Sequence, residues 1–230
     1  MAIPSVRNSR TRPTSAPRPN RAEQAALRRR AIVDAAIEEF LEKGFAATRV
    51  EDIARRAGVA KGTIYLNFKD KEALFAAIVQ QEIRAKVDTA SLGPLPQETL
   101  RAFADRVIVP LIGELVNSRR AAIIRLLIGE AGRFPKLAEV YFRLVVEPGL
   151  GGIRAMVQQA SKRNELKDDM LLKFPHLLVA PVIFSVIWTG LFQEFSSLDV
   201  EAMLRAYYQH VLKCAEEERH RGERVRWSLK

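Results

Sequence analysis

The chain has little of what metal sites, disulfides and covalent catalysts require. Its 230 residues contain one cysteine, Cys214, so no disulfide can close within it, and a reducing cytoplasm fits. Three histidines, His176, His210 and His220, share no metal-ligand spacing with Cys214 or with carboxylates on one helix face. There is no nucleophile elbow, phosphate loop or dinucleotide fingerprint. These absences point away from an enzyme, with no cofactor and no metal expected. No apolar stretch follows the N-terminal charges, so no secretory signal is expected, and prolines at 4, 13, 17 and 19 argue against the amphipathic helix of a transit peptide. No period-two run or hairpin dipeptide suggests a strand. Residues 174–193 carry no Asp, Glu, Lys or Arg and are long enough to span a bilayer. They also hold Pro175, His176, Pro181, Ser185, Thr189, Gly190 and Gln193, which suits a helix in a core or a dimer interface, and no membrane is expected.

What the chain does have is basic charge, unevenly placed. The net charge is +10. Residues 1–30 carry eight arginines against Glu23 alone, a net +7, which leaves +3 for the remaining 200. Such asymmetry suits a polyanion, nucleic acid before anionic membrane. Residues 1–20 are expected to form a disordered basic arm, either a solvated tail or a segment lying along a minor groove.

Apolar periodicity is helical nearly throughout, so the fold class is all-α. The pattern predicts helices at 23–43, 50–57, 61–67, 71–90, 97–117, 119–131, 136–162, 168–194 and 199–219. Pro148 with Gly149, Gly151 and Gly152 can kink or split the seventh. Gly44 ends the first, and residues 92–96 are the clearest break. The expected organisation is the arm (1–20), a first helical domain (21–70), a connecting helix (71–90), a second helical domain (97–219) and a tail (220–230).

Residues 45–75 carry the chemistry. Thr48 and Glu51 have capping-box spacing, so a helix is expected to start after Thr48. Val50, Ile53, Ala54 and Ala57 form its buried stripe. Gly58 can take the positive φ of a tight turn, and Val59 and Ile64 close a small core. This is a helix-turn-helix, whose second helix presents its N-terminal residues to the major groove. Lys61 can donate to guanine O6 or N7, or to a phosphate. Thr63 can bond to a base or a phosphate, Gly62 permits close approach, and Ala60 can touch a thymine methyl. Tyr65, if not partly core, and Asn67 are neutral donors for phosphate oxygens. Lys71 opens the next helix, where charge and dipole both favour an anion.

With these residues in hand, the segment resembles the DNA-binding domain of the TetR family of repressors. The resemblance rests on residues 32–40 with Gly44 and Phe45, on Thr48, Asp52, Ile53 and Ala54, on Ala57, Gly58 and Val59, on residues 61–65, and on Phe68 and residues 71–75. It covers about residues 25–80. It implies that Tyr65 and Lys71 hold phosphates, that Lys61, Gly62 and Thr63 face the groove, and that a second helical domain binds a ligand and dimerises. Arg49 stands where relatives often have a small hydroxyl residue, replacing or weakening a backbone contact. Leu66 and Asn67 stand where an aromatic or histidine is common. Glu51 either accepts from cytosine N4 or completes the cap. These four bear on the operator sequence.

The rest of the chain is apolar and helical. Helices 168–194 and 199–219 are too apolar to stand alone. Val182, Val186 and Gly190, with Leu204, Tyr208 and Val211, are expected to pair across a two-fold axis, so that a homodimer meets two half-sites of a palindromic operator about one duplex turn apart. The resemblance implies the same pair of helices. Phe103, Val107, Leu126, Tyr141, Met156, Phe184 and Trp188, with Phe134, Phe142 and Phe192, either line an apolar cavity or are plain core. Arg125, Gln159 or His176 would supply its polar groups. Cys214 reads as a small buried hydrophobe. The expected function is a repressor that leaves its operator when an apolar or aromatic effector binds. The alternatives are a helix-turn-helix protein controlled by a protein partner, and an enzyme or membrane module using the architecture as scaffold.

Overall fold

The computed structural model describes residues 20–84, 95, 97–166 and 168–212. The basic arm up to residue 19, residues 85–90 of the connecting helix, most of the 92–96 break, Cys214, His220 and the tail lie outside the described residues.

Helix α1 (Arg21–Ala47) begins at Asn20, whose side chain accepts from the Glu23 N–H at 2.9 Å while Glu23 accepts from the Asn20 N–H at 2.7 Å. This capping box satisfies two otherwise free donors. Ile32, Val33, Ala36, Ile37 and Phe40 form its buried stripe. Gly44, at φ 79 and ψ 163, breaks the helix and leaves a last turn, 45–47, set off from the rest. Helices α2 (Val50–Ala57) and α3 (Lys61–Asn67) follow, joined through Gly58 at φ 65. The Val59 N–H donates to Ala54 O at 3.0 Å across that turn. Helix α4 (Lys71–Ile78) is capped by Asp70 and continues through a wider turn at Val79–Arg84.

The second domain comprises α5 (Leu100–Phe103), α6 (Val109–Val116), α7 (Arg119–Glu130), α8 (Pro135–Tyr141), α9 (Glu147–Lys162), α10 (Met170–Lys173), α11 (Ala180–Leu191) and α12 (Val200–Val211). Two predicted helices are continuous but each contains one π turn. Ala104–Ile108 precedes Pro110, and Phe142–Val146 precedes Pro148. The cause is shared: a proline has no N–H and its ring crowds the carbonyl four residues back, and a local i→i+5 turn absorbs the conflict. The Val109 N–H thus bonds to Ala104 O, and the Glu147 N–H to Phe142 O. The helix expected over 168–194 is divided. Pro175 ends α10, a 3₁₀ turn occupies Pro175–Leu178, and Pro181 sits in the first turn of α11. Among the described residues no helix is long and apolar enough to cross a membrane.

Helix α7 lies between the domains. It packs on both α1 and α11. Arg125 lies across Gly190 and donates to Val186 O at 3.3 Å, so a side chain at 190 would overlap it. Helix α12 is tied to the 3₁₀ turn by Tyr207 and Tyr208, whose hydroxyls donate to Leu177 O and Leu178 O at 2.6 and 2.9 Å.

Part of the expected dimer face is turned inward. Val186, Leu204 and Tyr208 are buried in the chain's own core, and the small face at Gly190 receives Arg125. The open apolar side of α11 is a different one, formed by Ile183, Phe184, Leu191 and Phe192 and extended by Phe195, which is 86% exposed. Trp188 links Phe184 and Phe192, with ring centroids 5.5 and 5.4 Å away.

Candidate nucleic-acid interface

The α2–α3 unit is held rigidly behind its exposed face. Ile53, Ala54, Ile64 and Phe68 are buried and belong to the same core cluster as the stripe of α1 and as Leu74 and Phe75 of α4. A charge network clamps α2 to α1. Glu39 is buried and meets Lys43 at 2.6 Å and Arg56 at 2.7 Å. Lys43 also meets Asp52 at 3.1 Å, and Arg56 reaches on to Glu42. Lys43 first, then Arg56, hold the Glu39 carboxyl below the usual carboxylate range against the opposing effect of burial. A buried carboxylate is tolerable only when paired in this way.

Ala60, Lys61, Gly62, Tyr65, Leu66 and Asn67 form the open face of α3, with Thr63 half-buried behind them. Ala60 is the residue from which α3 starts, and a side chain at Gly62 would meet nothing within 4 Å. Tyr65 is 51% exposed, so its ring is not core. Asn67 turns its amide back onto Thr63 O at 2.8 Å. Leu66 is 87% exposed, an apolar side chain on the outer side of a two-turn helix. Arg49 begins α2 and is exposed. Glu51 reaches across to Lys61 as an ion pair, which lowers the Glu51 pKa and raises that of Lys61. The Lys61 ammonium also lies 5.8 Å from the Tyr65 ring centroid.

Two expected contacts take a different role. Thr48 makes no capping box with Glu51, because Arg49 is the residue at the head of α2. Thr48 is buried instead, and its hydroxyl faces Glu39 O and Gly44 O at 3.0 and 2.7 Å. It mends the backbone that Gly44 opens and offers no free donor outward. Lys71 does the same from the other side. Its ammonium donates to Phe45 O, Ala46 O and Thr48 O at 2.7, 3.2 and 3.0 Å. Three donors meet three acceptors, which leaves none for a phosphate in this state. Burial pushes its pKa down, and the ammonium stacks 4.8 Å above the Phe45 ring centroid.

A residue from the second domain completes this junction. The Phe45 N–H, orphaned by the break at Gly44, donates to Glu130 Oε1 at 3.0 Å. A side chain at Gly44 would put its Cβ 2.8 Å from that same oxygen. Phe134 packs on Phe45 at 5.0 Å between centroids. Arg119, at the other end of α7, meets Glu38 at 3.0 Å and donates to Asp34 O at 3.2 Å. Glu130 is absent from the sequence expectations because it lies 85 residues from its partner, and nothing in local spacing marks it.

The residues expected to line an effector cavity do not come together. Phe103 and Met156 flank a hollow of about 10 Å³ with Glu98, Leu100, Gln159 and Arg163, room for about one water. Leu126 sits in the filled seam against Ile37, Phe40 and Phe75. Val107 is buried, and burial pushes the Tyr141 pKa up to about 12. Phe184 and Trp188 lie on the outer side of α11, and Phe142 is also exposed. A hollow of about 490 Å³ opens elsewhere, among Gly113, Asn117, Thr189, Asp199, Glu201 and Arg205. Among the described residues no three His, Cys, Asp or Glu side chains gather as metal ligands.

Comparison with known proteins agrees with this arrangement. Residues 32–78 match the family described as bacterial regulatory proteins, tetR family, and residues 97–207 match the tetracyclin repressor-like C-terminal domain. An uncharacterized HTH-type transcriptional regulator, YdeS of Bacillus subtilis, is 26% identical over 162 residues, 70% of this chain and 79% of that protein. Among solved structures, Salmonella enterica GusR superposes with a TM-score of 0.68 at 22% identity, covering 85% of this chain and all of that one. Bacillus subtilis FadR in complex with stearoyl-CoA gives 0.64 at 19% identity, covering 80% of this chain and 97% of that one.

Proposed function

The chain belongs to the TetR family of bacterial regulatory proteins and is a DNA-binding transcriptional regulator, and we propose that it is a repressor that works as a homodimer on a palindromic operator. The observation that carries this is the exposed, uncovered face of α3 backed by a rigid core. Arg49, Glu51, Ala60, Lys61, Gly62, Thr63, Tyr65 and Asn67 meet the duplex there, α3 in the major groove. Thr48 and Lys71 hold the junction behind it. The open apolar side of α11, with Phe184, Phe192 and Phe195, seats the second copy and sets the spacing of the two α3 helices. The protein works in the cytoplasm, as a regulator rather than a catalyst.

Control is allosteric. An apolar effector bound in the second domain favours a state with weaker operator affinity, and its differential affinity sets how far the equilibrium moves. Helix α7 is the carrier with the most direct contacts, since Glu130 holds the Phe45 N–H and Arg125 rests on α11. The solved relative with stearoyl-CoA makes a long acyl thioester a rational first probe. The filled core around Phe103, Met156 and Leu126 favours a second reading, control by a protein partner with no small molecule. Fluorescence anisotropy on a duplex from upstream of the gene, with and without stearoyl-CoA and a panel of aromatic compounds, separates them. Release by any probe supports the effector reading. Specific binding that no probe changes supports the partner reading, and no sequence preference at all contradicts both.

A further inference from the structure

We infer that Glu51 and Lys61 act as one unit that reads a single G·C base pair in each half-site. The inference rests on the DNA-binding role proposed above. The two residues come from different helices, yet they form an ion pair in the free protein, at the edge of the exposed α3 face. The other carboxylate in the first turn of α2, Asp52, is already held by Lys43 and Arg55. Glu51 alone extends its charge toward the side that meets DNA.

A carboxylate facing a duplex is repelled by phosphates, so it is tolerable only where it meets a donor. In the major groove those donors are the amino groups of cytosine and adenine. An ammonium needs the opposite, and guanine O6 and N7 are its best acceptors. A G·C pair presents N7, O6 and the cytosine amino group in a row. Lys61 can sit on the guanine and Glu51 on the cytosine without parting from each other, because the O6 and N4 groups are themselves neighbours. The ion pair then costs little to bring to the duplex, since neither charge loses its partner. A·T offers a donor flanked by acceptors, which leaves one acceptor beside the carboxylate and sets Glu51 against it. Both residues are half exposed, and neither packs in the core, so substitution leaves the fold standing.

The test selects sequences from a randomised duplex library with full-length wild type, Glu51→Gln, Glu51→Ala and Lys61→Ala, then measures affinity for each single-base variant of the wild-type winner. Wild type should require G·C at one position per half-site. Both Glu51→Ala and Lys61→Ala should relax that same position by about tenfold and leave the others unchanged. Glu51→Gln, which can still accept from cytosine N4, should fall between. Overturning results are two. If Glu51→Ala tightens binding to every sequence equally, Glu51 only repels DNA. If the two variants relax different positions, the residues do not act together. Failure of wild type to select any sequence would instead overturn the DNA-binding role itself.

Discussion

Replacing Glu130 with alanine removes the one acceptor that α7 offers to the Phe45 N–H. That donor has no helical partner, because Gly44 at φ 79 breaks α1 just before it. A hydrogen bond to a charged group contributes about 1.5–3 kcal/mol, and the site is only partly buried, so the low end applies. Glu130→Ala should therefore destabilise the chain by about 1.5 kcal/mol and lower Tm by roughly 3–6 °C at this size. Glu130→Gln keeps a neutral acceptor and should lose about half as much. The same junction positions Arg49 and Glu51 at the start of α2, so a loosened junction also depletes the binding-competent state. A cost of about 1.4 kcal/mol on that state weakens operator binding by up to about tenfold, the full factor being reached where the competent state is already the minor one. Thermal denaturation and anisotropy on one set of samples read both effects. An unchanged Tm for Glu130→Ala would refute the bond. A lowered Tm with unchanged operator affinity would refute the idea that α7 governs the DNA-binding face.

Other consequences can be checked separately. Lys71→Ala should cost about 2 kcal/mol or more in urea denaturation, since its ammonium serves three carbonyls. The salt dependence of its DNA binding should match wild type; a slope reduced by about one charge would mean that Lys71 reaches a phosphate after all. Glu39 titrates below its usual value of 4.5 in the folded chain, so the α1–α2 clamp is fully present above that pH. It is lost as pH falls through the lowered value, and Glu39→Gln should show a shallower loss of stability across this acid range than wild type. A double change of Phe184 and Phe195 to serine should shift sedimentation from dimer to monomer while leaving Tm at low concentration nearly unchanged. A variant that stays dimeric would move the interface elsewhere.

Much of the first domain was legible because its signals are local. Gly44 and Gly58 each sit where a positive φ is needed, and the stripe Ile32, Val33, Ile37, Phe40 repeats at helical spacing. The outward display of Lys61 and Tyr65 follows from Ile64 pointing in. The internal bonds of Thr48 and Lys71 were not legible, because short spacing suggests a cap and a dipole site, while the break at Gly44 creates backbone acceptors that no linear pattern shows. In the second domain the helices were legible and their faces were not. Residues 180–191 are apolar nearly all round, so periodicity cannot say that Val186 faces the core while Phe184 faces out. The division at Pro175 and Pro181 was signalled by the prolines, but the charge-free run suggested one long helix. Candidate cavity residues shared only their apolar character, which core and pocket have in common.

The most direct test of the α3 face is anisotropy at two salt concentrations on the upstream duplex and on a scrambled one, comparing wild type with a Lys61→Ala, Tyr65→Ala variant. Wild type should bind the upstream duplex tightly and in a salt-sensitive way, at least tenfold over scrambled DNA, and the variant should lose that preference while melting as wild type does. Equal binding of both proteins to both duplexes would mean that arginine-rich charge alone holds DNA, and would contradict the assignment of α3 as the recognition helix.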